Sequence, residues 1–128
     1  MLDAAVLRTA LFGAIPPNDP RLCATLDAIG RELGAGDLLY RYRAPDGLTG
    51  NEATFAACAF WRVGCLVLAG RIDEAHALFE RLLMHANDVG LFAEEIDARS
   101  GEQRGNFPQG FTHMAVINHA LRLQRLAP

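Results

Sequence analysis

Residues 54–69 read T-F-A-A-C-A-F-W-R-V-G-C-L-V-L-A, and no other part of the chain constrains its architecture as strongly. As a helix, this segment is apolar on nearly every side, with Arg62 as its only charged residue. A helix that is hydrophobic all round is buried all round, so the sequence predicts that other helices pack on both sides of it. Gly64 is expected to let one of them approach closely, because glycine has no side chain.

Four further helices are predicted around this central one. Apolar residues recur at helical spacing in four more stretches, namely residues 3–13, 20–33, 73–87 and the segment that starts at Thr112. Asp19, Asp73 and Thr112 are the expected N-caps, because their side-chain oxygens accept hydrogen bonds from the first N–H groups of a helix. Leu83 and His119 are among the residues expected to face the core.

Two long connections separate these helices, at residues 35–53 and 90–113. Neither contains a convincing alternation of apolar and polar residues of the kind that marks a strand. With 128 residues, of which 51% are hydrophobic and 21% charged, the chain is expected to form a single segment over residues 1–128. The predicted fold class is all-α, built from antiparallel αα-hairpins.

The composition argues against several classes of function. The net charge of −3 disfavours non-specific nucleic-acid binding, which requires a positive surface. No stretch reaches the ~18 uncharged apolar residues of a membrane span, so no membrane association is expected. The three cysteines lack a CxxC spacing, and His76, His85 and His119 show no ligand spacing, so we expect no metal and no other cofactor. Free thiols suit a reducing compartment, and the expected location is the cytoplasm.

The connection at residues 90–113 carries the candidate chemistry. It holds two adjacent carboxylates, Glu94 and Glu95, after the apolar run at residues 91–93, and it ends in N-F-P-Q at residues 106–109. Long connections in compact domains are often functional. Successive side chains of an extended backbone point in opposite directions, so only one of the two carboxylates is expected to face a given pocket.

Motifs of a known family run in order through nearly the whole chain. They are I-P-P-N-D-P at 15–20, L-Y-R-Y at 39–42, E-A-T-F at 52–55, F-W at 60–61, L-A-G-R-I-D-E-A at 68–75, A-E-E-I-D at 93–97, and G-N-F-P-Q at 105–109 with F-T-H at 111–113. Together they resemble glycoside hydrolase family 15, the glucoamylases and bacterial trehalase-like glucosidases. The resemblance implies a partial arc of an (α/α)6 toroid, equivalent to the C-terminal third of the family's catalytic domain.

The same resemblance implies inverting hydrolysis of an α-glucosidic bond in an oligosaccharide or disaccharide. This reaction uses a general acid that protonates the leaving oxygen and a general base that activates water. Glu94 aligns with the general base of the family. The general acid of the family lies in a Trp-Glu motif, which is absent here because Trp61, the only tryptophan, is followed by Arg62. The chain is therefore expected to be a C-terminal fragment that is inactive by itself.

The candidate substrate-binding residues are Trp61, Glu52, Asn106, Gln109 and His113. Trp61 either stacks on a sugar ring or packs in the core of its apolar helix. Glu52 either lines the pocket or favours the N-terminus of the helix that follows. Asn106 and Gln109 bond either sugar hydroxyls or loop backbone. His113, near a helix N-terminus, is expected to be neutral and to hydrogen-bond the carboxylate loop.

An alternative function is a non-catalytic α-helical interaction domain. The motif at residues 68–75 also suits a tetratricopeptide hairpin, although no second copy follows about 34 residues away. For a fragment, the helix faces that meet missing hairpins are exposed apolar patches. The expected partner is therefore either a missing N-terminal part or a second copy of the chain.

Overall fold

The structure is a computed structural model that describes residues 1–43 and 53–126. Within these ranges the α-helices are α1 (Leu7–Leu11), α2 (Pro20–Leu33), α3 (Ala56–Leu68), α4 (Ile72–Leu83) and α5 (Gly110–Gln124). A 3-10 turn at Ala4–Val6 precedes α1, so the helix predicted at residues 3–13 is shorter and divided. Across the described part of the chain, no helix has both the length and the apolar character to cross a membrane.

Helix α3 lies at the centre of the packing and contacts each of the other four helices. Most of its residues are buried, including both cysteines on it, Cys58 and Cys65. Burial raises the pKa of each of these thiols to about 12. The prediction of a central helix with neighbours on both sides is confirmed, and its reason is the uniform apolar character of the segment.

Helix α5 packs closely against α3 at Gly64. A Cβ atom added at Gly64 would overlap the ring of His119 and would lie 2.8 Å from Leu11 Cδ2. The prediction that Gly64 permits close helix packing is therefore confirmed. His119 is buried, as predicted, with 4% of its surface exposed, and burial, with a smaller effect from Arg122, lowers its pKa to about 4. The imidazole is consequently neutral in the folded protein at pH 7.

The all-α prediction is wrong in one respect, because the described residues also form two small antiparallel sheets. Strands β1 (Gly34–Ala35) and β2 (Leu38–Leu39) form one; β3 (Thr54–Phe55), β4 (Glu95–Ile96) and β5 (Gln103–Arg104) form the other. In the second sheet Phe55 pairs with Glu95, and Glu95 pairs with Arg104. Backbone N–H and C=O groups of the long connections lie outside the helices and have no helical partner. In these sheets they bond one another instead. Two-residue strands are too short for sequence alternation to reveal.

The predicted helix starts are correct in one case out of three. Asp19 caps α2, and its Oδ1 accepts a hydrogen bond from Arg21 N at 2.8 Å. Asp73 is not an N-cap, because α4 begins one residue earlier and Asp73 lies in its first turn. Thr112 is not an N-cap either, because α5 begins at Gly110. Leu83, expected to face the core, is 37% exposed because α4 ends there.

Candidate active site

The three-stranded sheet and the start of α3 hold the backbone around Glu94. Strand β4 begins one residue after Glu94 and pairs with β3, which leads directly into α3. The carbonyl oxygen of Glu94 accepts a hydrogen bond from Ala56 N at 3.0 Å, and its N–H donates to Asn106 O at 2.9 Å. The buried Thr54 donates its hydroxyl to Ile96 O at 2.6 Å. Glu94 is therefore fixed between the N-terminus of the central helix and the turn that contains Asn106.

The Glu94 carboxylate is half-buried and is held through one oxygen. Oε2 accepts hydrogen bonds from Asn106 Nδ2 at 2.9 Å and from Asn106 N at 3.3 Å. Within residues 1–43 and 53–126, no hydrogen bond reaches Oε1. Gly105 gives the carboxylate room, since a Cβ atom there would lie 3.0 Å from Oε2, and its φ of 74° favours glycine. A carboxylate that is anchored through one oxygen can take a proton from a bound water through the other.

The sequence offered sugar hydroxyls or loop backbone as partners for Asn106. Its side-chain amide instead bonds the Glu94 carboxylate. The main chain of Gln109 bonds the loop, since Gln109 N donates to Phe92 O at 2.9 Å, and the partner of its side chain stays a prediction. His113 also bonds the loop, since its Nε2 accepts from Phe92 N at 3.0 Å. A ring nitrogen that accepts from an N–H carries no proton, so this imidazole is neutral, with its proton on Nδ1.

Two residues that the sequence reading did not identify hold Ala93, the residue before Glu94. The side-chain Oε1 of Gln103 accepts from Ala93 N, and its Nε2 donates to Leu91 O at 3.0 Å. Thr112 Oγ1 donates to Ala93 O at 3.1 Å. Thr112 carried a signal in the sequence, but as a helix cap; Gln103 carried none, because its partners lie ten or more residues away in the chain.

The remaining predicted residues lie apart from this hydrogen-bond network or outside the described ranges. Trp61 packs in the core with 8% of its surface exposed, and its ring meets Phe111 edge-on at a centroid separation of 5.6 Å. With Arg8 and Phe111 it lines a cavity of about 460 Å³ beside α1 and α5. Glu52 falls outside the described residues. Core packing of Trp61 is thus observed, and its contact with a sugar stays a prediction.

A helical scaffold that presents a half-buried carboxylate, anchored through one oxygen, suits a hydrolase that uses a carboxylate in catalysis. Comparison with known families gives the same class more specifically. The sequence model of the Glycosyl hydrolases family 15 matches residues 1–121, and the chain belongs to this family. Membership does not favour the alternative of a tetratricopeptide-like interaction domain.

The similar curated proteins are trehalases. Trehalase of Mycobacterium tuberculosis is 47% identical over 132 residues, which cover 98% of this chain and 19% of that protein. Trehalase of Thermoplasma volcanium is 44% identical over 124 residues, which cover 96% of this chain and 20% of that protein. Trehalase 2 of Sulfolobus acidocaldarius is 30% identical over 116 residues, which cover 91% of this chain and 20% of that protein. The chain therefore spans about a fifth of the length of these relatives. No solved structure matches it.

Proposed function

We propose that this chain supplies the general-base side of an inverting glycosidase active site that hydrolyses an α-glucosidic bond, with trehalose as its substrate. Family membership supports the reaction class, and the names of the relatives support the disaccharide. The observation that carries the proposal is the Glu94 carboxylate, anchored by Asn106 through Oε2. Its Oε1 is the oxygen that takes the proton from water as that water attacks the anomeric carbon.

The general acid comes, in this proposal, from a part of the enzyme outside this chain. Inverting hydrolysis requires a second carboxyl group on the opposite face of the sugar, ~6.5–9.5 Å from the first. The Trp-Glu motif that provides it in the resembling family has no counterpart here, since Arg62 follows Trp61. The five helices then form an arc of an (α/α)6 toroid, taken from the C-terminal part of the catalytic domain. The free thiols are in keeping with a cytoplasmic enzyme.

Asn106, Gln109 and His113 act in this proposal mainly through the loop, because their hydrogen bonds set the position of Glu94. Trp61 and Glu52 are proposed as sugar contacts once the pocket is complete. Asn106 has a second role, since its amide donates a hydrogen bond to the carboxylate that must act as a base.

The experiment joins this chain to the rest of a family enzyme. The chain is co-expressed with Mycobacterium tuberculosis trehalase from which the matching segment has been removed, and trehalose hydrolysis is measured. Activity is expected only when both are present, and NMR of the fresh products should show one β-glucose per trehalose, the sign of inversion. The chain alone hydrolysing trehalose would contradict the proposal.

The base assignment is tested by three single changes in the same complex. Glu94→Gln is expected to lower kcat by about a thousandfold, since the carboxylate no longer accepts a proton. Glu102→Gln, at an exposed carboxylate of the same connection, should leave activity unchanged. If Glu95→Gln abolishes activity and Glu94→Gln does not, the base is Glu95.

A further inference from the structure

Helix α5 has an outer face that nothing in the described residues covers. Its inner face packs on α3, whereas Met114, Ile117 and Leu121 are 60%, 57% and 48% exposed. These three residues are three and four positions apart and lie side by side along the helix. Phe12, at the end of α1, is 74% exposed and lines the same cavity as Met114 and Leu121. We call Phe12 and these three residues the α1/α5 face; a contiguous exposed apolar patch of this kind marks an interaction site.

The α1/α5 face is also positively charged. Arg8, Arg122 and Arg125 line the cavity beside it, and neither α1 nor α5 contains an aspartate or glutamate. None of the three arginines forms an ion pair with another described residue. The Arg8 guanidinium is held over aromatic rings, 5.0 Å from the ring centre of Phe12 and 5.4 Å from that of Trp61. This local charge contrasts with the net charge of −3 of the whole chain.

The charge decides between the two partners that suit an apolar face. A second copy of the chain, docked face to face by two-fold symmetry, places the arginines of both copies in one interface. Like charges at an interface are costly, whereas carboxylates complement the arginines. The lengths of the relatives supply a source for such a partner, because about four fifths of each lies outside the segment that this chain matches.

We propose that the α1/α5 face docks a helical segment whose aliphatic side chains are flanked by carboxylates, and that this segment belongs to the part of a family 15 enzyme that this chain does not span. The inference rests on the proposed function for the identity of the partner. The aliphatic side chains pack on Met114, Ile117 and Leu121. The carboxylates pair with Arg122 and Arg125, which form no ion pair with the residues at 1–43 and 53–126.

The test measures binding, separately from catalysis. The probe is Mycobacterium tuberculosis trehalase without the matching segment, co-expressed with this chain and analysed by size-exclusion chromatography with light scattering; its own segment supplied in trans serves as the positive control. We expect a 1:1 complex with the chain. Met114→Asp is expected to weaken the complex about tenfold or more, because a charge enters the apolar contact. Arg125→Glu, at an exposed position, is expected to weaken it severalfold and to reduce its salt dependence.

The matched control is Met84→Asp, since Met84 is 84% exposed but does not line this cavity. It should bind like the parent chain. Circular dichroism and urea unfolding of each variant alone should match the parent, which separates lost docking from lost folding. Equal binding by Met84→Asp and Met114→Asp, or no complex with the parent chain, would overturn the proposal. So would a dimer of the chain alone that Met114→Asp converts to a monomer.

Binding and activity distinguish this inference from the proposed function. A complex that forms, and that Met114→Asp breaks, supports the docking surface even if it hydrolyses no trehalose; the proposed function then fails alone. A complex that hydrolyses trehalose and is indifferent to both Met114→Asp and Arg125→Glu keeps the proposed function and rejects the docking surface.

Discussion

The loop around Glu94 and the α1/α5 face differ in how completely this chain supports them. The loop is held by side chains from β5, from α5 and from the turn between them, since Gln103, Thr112 and His113 bond its backbone and Asn106 bonds the Glu94 carboxylate. The α1/α5 face has apolar side chains in solvent and arginines without ion pairs among the described residues. Glu94 and the backbone before it are therefore held in place by side chains of this chain, whereas no described residue covers the α1/α5 face.

Helix α5 belongs to both regions, and this explains how they coexist. Its first turn supplies Thr112 and His113 to the loop, and its buried side places His119 against α3. Only its outer side faces solvent. Changes on the inner side of α5 should therefore disturb the loop, and changes on the outer side should not.

The largest effect is expected where α3 and α5 touch. Gly64→Ala places a methyl group into the ring of His119, so α5 must move away from α3. We expect the free energy of unfolding to fall by about 3 kcal/mol, the upper range for overpacking. Urea unfolding measures it. Gly110→Ala is the control, since a Cβ atom there meets nothing within 4 Å. Equal stability of the two variants would mean that α5 does not pack as described.

The next largest effect is a pH dependence of the free energy of unfolding, caused by His119 at the same contact between α3 and α5. His119 has a folded-state pKa of about 4, lowered from 6.5. As the pH falls, His119 takes up a proton in the unfolded chain before it does so in the folded protein. The contribution of His119 to the free energy of unfolding is therefore fully present above pH 6.5 and declines towards pH 4. Between pH 7.5 and pH 5 the loss due to His119 is about 2 kcal/mol.

Urea unfolding at the two pH values checks this loss in the parent chain, in His119→Gln and in His76→Gln. The His119 variant should lose that part of the pH dependence, and the variant at the exposed His76 should keep it. The same pH dependence in all three proteins would show that other groups cause it.

A smaller effect is expected in the loop. Gln103→Met removes the amide that bonds Ala93 N and Leu91 O, and should lower the free energy of unfolding by about 1 kcal/mol because polar backbone groups lose their partners. Thr112→Val should have a similar effect at Ala93 O. Hydrogen exchange of the Ala93 amide should quicken in Gln103→Met.

The control for this pair is Thr25→Val. The Thr25 hydroxyl donates to Arg21 O, within its own helix α2, so its loss should leave exchange in the loop unchanged. If the Ala93 amide exchanges at the parent rate in Gln103→Met, the loop is not held by this side chain.

The smallest effect is expected on the outer side of α5. Ile117→Ser should change the free energy of unfolding of the chain alone by no more than about 0.5 kcal/mol, because the side chain is already 57% exposed. Met84→Ser, at an exposed residue away from this face, should behave alike. A loss above about 1.5 kcal/mol that shrinks on dilution would mean that a second copy covers Ile117.

The helices were predictable where the signal is local. The apolar run at residues 54–69 gave the central helix, and Asp19 with Pro20 gave the start of α2. The starts of α4 and α5 were not predictable in this way. Asp73 and Thr112 look like N-caps in the sequence, but both helices begin before these residues. Thr112 lies inside the first turn of α5 and donates its hydroxyl to Ala93 O, a contact that no local pattern reveals.

The sequence by itself determined the family, the helical scaffold and the identity of the candidate base, because these depend on motif order and on the spacing of apolar residues. Only the tertiary structure decided how Glu94 is held. Asn106 lies twelve residues from Glu94, and Gln103 lies ten from Ala93, so folding alone brings them within hydrogen-bond distance. It also decided that no described residue covers the outer side of α5, since a helix shows which of its apolar sides is buried only when its neighbours are in place.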